Sequence, residues 1–275
     1  MKRVFLVGCP LGHSVSPVMQ NAAFRATGLD WQYELLETSR DELPAKVARL
    51  REQDCAGANV TIPHKQTIIE FLDDVTDAAR EIGAVNTIVK RGSQLVGENT
   101  DAYGFLQSLR VARVGPATAR AVILGAGGAA RAVAFALAAT GAANIAIVNR
   151  TTARAMAFAD ELRRQYPLLA LTVNHLEALG DATLFVNATP VGMAPSVDES
   201  PMPGAFPRGV VAFDLVYCPI QTQFLRDAER AGAQTVGGIG MLVHQGAAAF
   251  ELWTGQAAPV ELMSEVAHAA LSHGR

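Results

Sequence analysis

The sequence predicts an α/β fold of two doubly wound domains, and three features of the chain predict it. Short apolar runs alternate with helical patterns from Lys2 onward; a strand, a glycine turn and a long helix follow one another after Arg120; and the chain closes on two helical stretches with no strand after them. Half of the 275 residues are apolar, enough to bury two ordinary cores.

The elements follow in order. Val4 to Val7, in RVFLVG, predict a buried strand that empties into Gly8-Cys9-Pro10. The opening MKRVFLVGC imitates a lipoprotein leader, but its apolar run breaks long before the roughly 7–15 residues of a secretory core. A helix opens after Ser16 with Pro17 in its first turn, WQYELLE predicts the next strand, and a charged helix starts from Asp41. AGANVT predicts a strand ending in a loop that contains Pro63, and GAVNTIVK and SQLVGENT predict two more. Every one of these strands empties into polar residues. The loops HSVSP, NVTIPHK, AVNT and ENTD are therefore expected to face one cleft beyond the carboxyl ends of a largely parallel sheet.

A second unit begins after Asp101. A helix from Ala102 to about Val111 and the connector VGPAT lead into ARAVILGAGGAARAVAFALAATG; NIAIVNR, TLFVNAT and VVAFDLV are further strands. The tail reads as two helices, MLVHQGAAAFELWTG and PVELMSEVAHAALSH, that return to cover the first domain. The expected division is 1–101 with 238–275 for a substrate-binding and catalytic domain, and 102–237 for a nucleotide-binding one.

Composition narrows the function. A formal net charge of −3 supplies no basic field for nucleic acid or anionic lipid, so a small molecule is the expected partner. Cys9, Cys55 and Cys218 are odd in number and lack paired spacing, which suits a reducing, cytoplasmic setting. His64 and His244 have no second ligand at metal spacing, so no metal is expected. No apolar stretch is long enough for a membrane span, and a homodimer is left open.

Gly125-Ala126-Gly127-Gly128-Ala129-Ala130 fits G-x-G-x-x-A between a strand and a helix. The first glycine permits the tight turn, the second lets backbone approach a pyrophosphate, and the small last position allows close packing of helix on strand. The second domain is thus expected to be a Rossmann dinucleotide-binding domain. At the end of its second strand, where an NAD site places an acid on the ribose, this chain has Asn149-Arg150-Thr151, with Arg154 one turn later. Two guanidinium groups suit a 2′-phosphate, so NADP is the expected cofactor.

Ser14 and Ser16 before a helix are capping residues in one reading and a carboxylate site in another. Asn59, Thr61, Asn86, Asn99 and Asp101 add neutral and acidic groups at other strand ends, a set suited to a polyhydroxylated ligand. Among twenty-three basic residues only Lys2, Lys46, Lys65 and Lys90 are lysines, and Lys65 follows a Pro-His turn. Arginine essentially never releases its proton and lysine can, so a lysine here suits proton transfer.

These residues resemble the shikimate dehydrogenase family from end to end. The segments that carry the resemblance are GCPLGHSVSPVMQNAAF (8–24), GANVTIPHK (57–65), GAVNTIV (83–89), GENTDAYGF (97–105), GAGGAARA (125–132), NRT (149–151), NATPVGM (187–193), DLVYCP (214–219) and GGIGMLVHQGAAAFELWTG (237–255). The resemblance implies NADP-dependent, reversible reduction of 3-dehydroshikimate to shikimate, a step of aromatic amino-acid biosynthesis. It implies Lys65 and Asp101 as the catalytic pair, Ser14 and Ser16 on the substrate carboxylate with Tyr217 beside them, and Thr61, Asn86, Asp101 and Gln245 on ring hydroxyls. On the cofactor it implies Gly125, Ala126, Gly127, Gly128, Ala129, Asn149, Arg150, Thr151, Arg154, Met193, Gly238 and Met241. Lys65 as acid and base, and Lys65 as an electrostatic clamp on a developing alkoxide, both remain open. So do two other readings: a quinate and shikimate dehydrogenase of broader range, and a ligand sensor that kept the fold without the chemistry.

Overall fold

The computed structural model describes residues 1–174, 180–202 and 205–273. The few remaining positions of the two expected domains, 175–179, 203–204 and 274–275, lie outside the described residues. The chain forms two compact units, one of Met1–Gly104 with the chain from Leu242 onward, the other of Phe105–Met241.

The first unit runs β1 (Lys2–Gly8), α1 (Ser16–Ala26), β2 (Trp31–Glu37), α2 (Leu43–Leu50), β3 (Cys55–Val60), a 3-10 turn (Thr67–Phe71), β4 (Asp74–Val75), α3 (Asp77–Ile82), β5 (Thr87–Arg91), β6 (Gln94–Glu98) and the start of α4 (Asp101–Val111). In the second unit follow β7 (Arg120–Leu124), α5 (Gly128–Ala139), β8 (Asn144–Val148), α6 (Thr152–Gln165), β9 (Ala170–Val173), β10 (Leu184–Asn187), β11 (Val211–Asp214), α7 (Gln223–Arg230) and β12 (Gln234–Val236). The chain then passes through α8 (Ile239–Thr254) to α9 (Val260–His273).

The first sheet has the order β2-β1-β3-β5-β6-β4. β1 pairs in parallel with β2 and with β3, as the alternating pattern predicts. β5, however, is antiparallel to both β3 and β6. The reason is local: Arg91 pairs with Gln94, so only Gly92 and Ser93 connect β5 to β6, far too short for a crossover. Gly92 takes φ 64, which a two-residue hairpin turn asks of its first central residue.

The core of this sheet buries Val7, Val60, Ile88 and Leu95. α8 returns to it as expected: Trp253 Nε1 donates to the Ile88 carbonyl at 2.9 Å, and a Cβ on Gly57 would lie 2.6 Å from that nitrogen. Gly57 is thus the gap that admits the indole. Gln20 Nε2 bonds the Gly246 carbonyl, and Phe24 stacks on Phe250, so α1 and α8 share an interior seam.

The second sheet is parallel throughout, in the order β12-β11-β10-β7-β8-β9. Sequential order reverses between β7 and β10, the switch point where doubly wound sheets bind ligands. The loops after these two strands meet there: a Cβ on Gly125 would lie 3.0 Å from the Ala188 carbonyl, and Gly125 takes φ 117. Among the described residues no helix is long and apolar enough to cross a membrane, and no group of three or more His, Cys, Asp or Glu could hold a metal.

Candidate functional site

In the first unit one buried polar network gathers residues from three strand ends, those of β3, β5 and β6, and from α8. Lys65 Nζ donates to Asp101 Oδ2 at 2.6 Å. Asn86 Nδ2 donates to the other carboxylate oxygen, Asp101 Oδ1, at 2.9 Å, and to Gln245 Oε1 at 3.2 Å. The orientation of the Asn86 amide is dictated by chemistry, because its Oδ1 accepts from the backbone N–H of Thr100 at 2.7 Å and only an oxygen can do so.

Each member is held by the chain around it. The Lys65 carbonyl accepts from Val85 N at 2.7 Å, and His64, fully buried, sets one ring nitrogen 2.7 Å from the Thr38 carbonyl. Asp101 opens α4, and Asn99 Oδ1 caps that helix through the N–H groups of Asp101 and Ala102. Behind the pair, Tyr33 Oη donates to Asn59 Oδ1 at 2.8 Å, and Asn59 Nδ2 donates to the Asn86 carbonyl and to Thr87 Oγ1. Thr87 and Thr100 were not singled out from the sequence. Both look like ordinary strand residues there; Thr87 Oγ1 donates to Oδ1 of its sequence neighbour Asn86, and Thr100 Oγ1 reaches the same oxygen because β5 and β6 lie side by side.

Asp101 retains 5% side-chain exposure and Lys65 15%. The ammonium has three N–H groups, and Asp101 is its single acceptor among the described residues. Two donors are therefore not engaged by the carboxylate, on a side chain that keeps some exposure.

Ser14, Ser16 and Thr61 belong to the same unit without joining that network among the described residues. The capping role differs from the sequence reading: Ser16 lies inside the first turn of α1, and Ser14 Oγ accepts its N–H at 3.3 Å. Thr61 packs so closely on Gly8 that a Cβ there would fall 2.3 Å from its methyl. This pins the start of the NVTIPHK loop against the end of β1.

In the second unit the glycine turn has the form that an anion needs. Gly127 is extended (φ −91, ψ −175), a conformation open to any residue, and a Cβ there would meet no protein atom within 4 Å. The fold itself does not demand glycine at this position, and the space beside it is open to the close approach of a ligand. No side chain caps α5, and its first N–H to be accepted within the helix is that of Arg131, by the Gly127 carbonyl. Among the described residues the N–H groups of Gly128, Ala129 and Ala130 meet no acceptor, an arrangement in which a helix N-terminus can receive an anion.

Arg150, Thr151 and Arg154 are exposed, and neither guanidinium pairs with an acid among the described residues. Their loop is shaped by Asn174, a residue that sequence reasoning missed: its Oδ1 accepts from Asn149 N, and its Nδ2 donates to the Asn149 carbonyl and to Thr152 Oγ1. Asn174 takes φ 50, a region that asparagine tolerates better than most residues. Gly238 lies against β11's loop, where a Cβ would fall 2.5 Å from the Leu215 carbonyl. Met241 is buried at the start of α8, whereas Met193 and Tyr217 are half-buried in the loops after β10 and β11.

Those two loops share an anchor that the sequence did not disclose. Asp214, fully buried, accepts from Asn187 Nδ2 at 2.9 Å, Val216 N at 2.9 Å and Thr222 Oγ1 at 2.6 Å. Burial pushes its carboxyl up to about 6 against the opposing pull of those three hydrogen bonds. Cys9 and Cys55 are also shifted upward, chiefly by desolvation, so both remain thiols at neutral pH.

Three family models match the chain: "Shikimate dehydrogenase substrate binding domain" over residues 6–88, "Shikimate / quinate 5-dehydrogenase" over 110–196 and "Shikimate 5'-dehydrogenase C-terminal domain" over 238–268. The chain is 45% identical over 274 residues to the shikimate dehydrogenase (NADP(+)) of Symbiobacterium thermophilum, covering 97% of this chain and 93% of that one. It is 46% identical over 280 residues to the enzyme of the same name from Methanopyrus kandleri, at 99% and 96% coverage. Its structure superposes with a TM-score of 0.89 on the shikimate 5-dehydrogenase of Thermus thermophilus in complex with NADP(H) and shikimate. That match is 41% identical and covers 98% of this chain and all of the other.

Proposed function

The chain belongs to the shikimate dehydrogenase family, and from that premise we propose that it catalyses the reversible, NADP-dependent reduction of 3-dehydroshikimate to shikimate with Lys65 and Asp101 as its catalytic pair. The observation that carries this reading is the Lys65 ammonium, held by one buried carboxylate, with two further N–H donors that meet no protein acceptor among the described residues.

NADP, when bound, supplies the hydride for the carbonyl carbon in one direction and receives it in the other. The residues of this chain handle the oxygen. Reduction leaves an alkoxide that needs a proton, and Lys65 Nζ carries one; oxidation needs the hydroxyl proton removed, and the same nitrogen takes it. Asp101 Oδ2 fixes the direction of the ammonium, and Asn86 fixes Asp101 in turn. Gln245, bonded to Asn86, shares that edge and suits a ring hydroxyl, as do Thr61 and Asp101. Ser14 and Ser16 offer hydroxyls and a helix start to the substrate carboxylate, with Tyr217 as a further contact.

The unit of Met1–Gly104 with the chain from Leu242 onward is the proposed substrate domain, and Phe105–Met241 the proposed NADP domain. The cradle of Gly125, Ala126, Gly127, Gly128 and Ala129 fits a pyrophosphate. Asn149, Arg150, Thr151 and Arg154 fit an adenosine 2′-phosphate, and Met193, Gly238 and Met241 fit the nicotinamide end. Three free cysteines and the absence of any basic field support a cytoplasmic setting and no nucleic-acid partner.

The test is nicotinamide absorbance after mixing the purified protein with shikimate or quinate, each with NADP or NAD. Strong reduction of NADP by shikimate is the expected result. A preference for quinate with NAD would overturn both the substrate and the cofactor assignment.

A further inference from the structure

α5 and α6 carry the two anion sites of the second unit at their N-termini, the glycine turn on one and Arg150 with Arg154 on the other. A ligand that bears both a pyrophosphate and a 2′-phosphate requires a set spacing between them. β7 and β8 fix the strand ends, with Leu124 in register with Val148. The helices themselves are joined by an unusual side chain.

Arg131, in the first turns of α5, is the one buried arginine or lysine among the described residues, at 4% exposure. Its guanidinium lies 5.1 Å from the ring centre of Phe158 on α6 and 5.9 Å from that of Phe135 on α5, and its Nη2 donates to Glu161 on α6. Phe135 and Phe158 also contact each other, with ring centres 6.4 Å apart. An apolar side chain could fill the space between two such rings without the cost of desolvating a guanidinium. An ion pair with one buried partner stabilises weakly for that reason, but it constrains geometry: the guanidinium packs on both rings while its Nη2 meets Glu161, and this ties α6 to α5.

We infer that Arg131 is a positioning residue for cofactor selection, tethering α6 to α5 through Glu161 and Phe158 and so setting the spacing between the pyrophosphate turn and the 2′-phosphate cations. The inference rests on the NADP reading above. NAD uses the glycine turn without the two cations, so its binding does not depend on that spacing.

Equilibrium binding of NADP and of NAD, measured by calorimetry without substrate, tests it in the wild type, Arg131→Met and Glu161→Gln. Methionine can pack against both rings without the fork. Arg131→Met is expected to lower NADP affinity about tenfold while NAD affinity stays within about twofold, on the scale of one lost charged hydrogen bond. Glu161→Gln, at a half-exposed position that tolerates change, is expected to shift the same ratio in the same direction by about threefold. Equal losses for both cofactors, or no loss, would reduce Arg131 to a structural role and overturn the inference. If Arg131→Met does not fold, an unchanged ratio in Glu161→Gln overturns it alone. A wild type that binds both cofactors equally overturns the cofactor reading itself, and the inference with it.

Discussion

The two units build their sites in opposite ways. Around Lys65 nearly every polar atom is buried and partnered: both oxygens of Asp101 are engaged, Asn86 is oriented by a backbone N–H, and Tyr33 and Asn59 back the arrangement from behind. At the proposed cofactor edge α5 has no side-chain cap, and Arg150 and Arg154 are exposed and pair with no acid among the described residues. The contrast fits what the proposed function asks of each. A proton has to pass between atoms held within a few tenths of an ångström, which demands preorganisation. A large anion has to enter and leave, which demands free N–H groups and cations not already neutralised by the protein.

Changes to the closed cluster should therefore cost turnover, and changes to the open edge should cost affinity. The largest expected effect is at Asp101. Asp101→Asn removes the counter-charge of Lys65 while keeping its shape, and kcat should fall about a thousandfold. Steady-state kinetics check this, and a variant that changes only KM would break the comparison.

Next in size is Asp214, which is closed like the first cluster but lies in the second unit. Its carboxyl is raised to about 6, so the folded state holds a proton that the unfolded chain releases near the usual carboxylate value. The stability it contributes is present below about pH 4 and is lost as pH rises to about 6, by about 3 kcal/mol. Asp54 and Asp73, held low chiefly by Arg49 and Arg51, have the opposite sign: their contribution is lost as pH falls. Urea midpoints for the wild type and Asp214→Asn between pH 4 and 7 isolate the effect. The wild type should lose stability relative to the variant as pH rises, and parallel curves would show Asp214 to be unperturbed.

Gly127→Ala is the sharpest probe of the open edge. No protein atom lies where the methyl would go, so the melting temperature should hold or rise slightly. The methyl would crowd the ligand, and overpacking of about 1–3 kcal/mol corresponds to about 5–150-fold weaker NADP binding. A drop in melting temperature with affinity intact would mean that the glycine serves the fold. The smallest effect is at Arg150. Arg150→Ala should weaken NADP binding about tenfold and leave NAD nearly unchanged, which a titration of both cofactors reads directly.

What the sequence disclosed follows the same division. The open edge was legible because its parts are contiguous: strand, glycine turn, helix, then Asn149-Arg150-Thr151 at the next strand end. The key members of the closed cluster, Lys65, Asn86 and Asp101, were legible through the loops they close and the family they resemble. Their supports were not. Thr87, Thr100 and Asp214 lie within segments that carry the resemblance but, like Thr222, have no partner that the sequence discloses; their hydrogen bonds arise from neighbouring strands and loops that only the fold brings together. In the fold, β4, β9 and β12 escaped notice because they are two to four residues long and mostly half-exposed. The antiparallel turn into β6 depended on Gly92-Ser93, a pair too short to stand out beside the parallel pattern around it.

The central claim is that Lys65 serves the chemistry rather than the hold on substrate. Lys65→Ala tests it most directly, with shikimate affinity measured by calorimetry alongside kcat on NADP and shikimate. Affinity within a few-fold of wild type, together with a loss of turnover of about a thousandfold or more, is the predicted result. Turnover that survives the substitution would remove Lys65 from the mechanism.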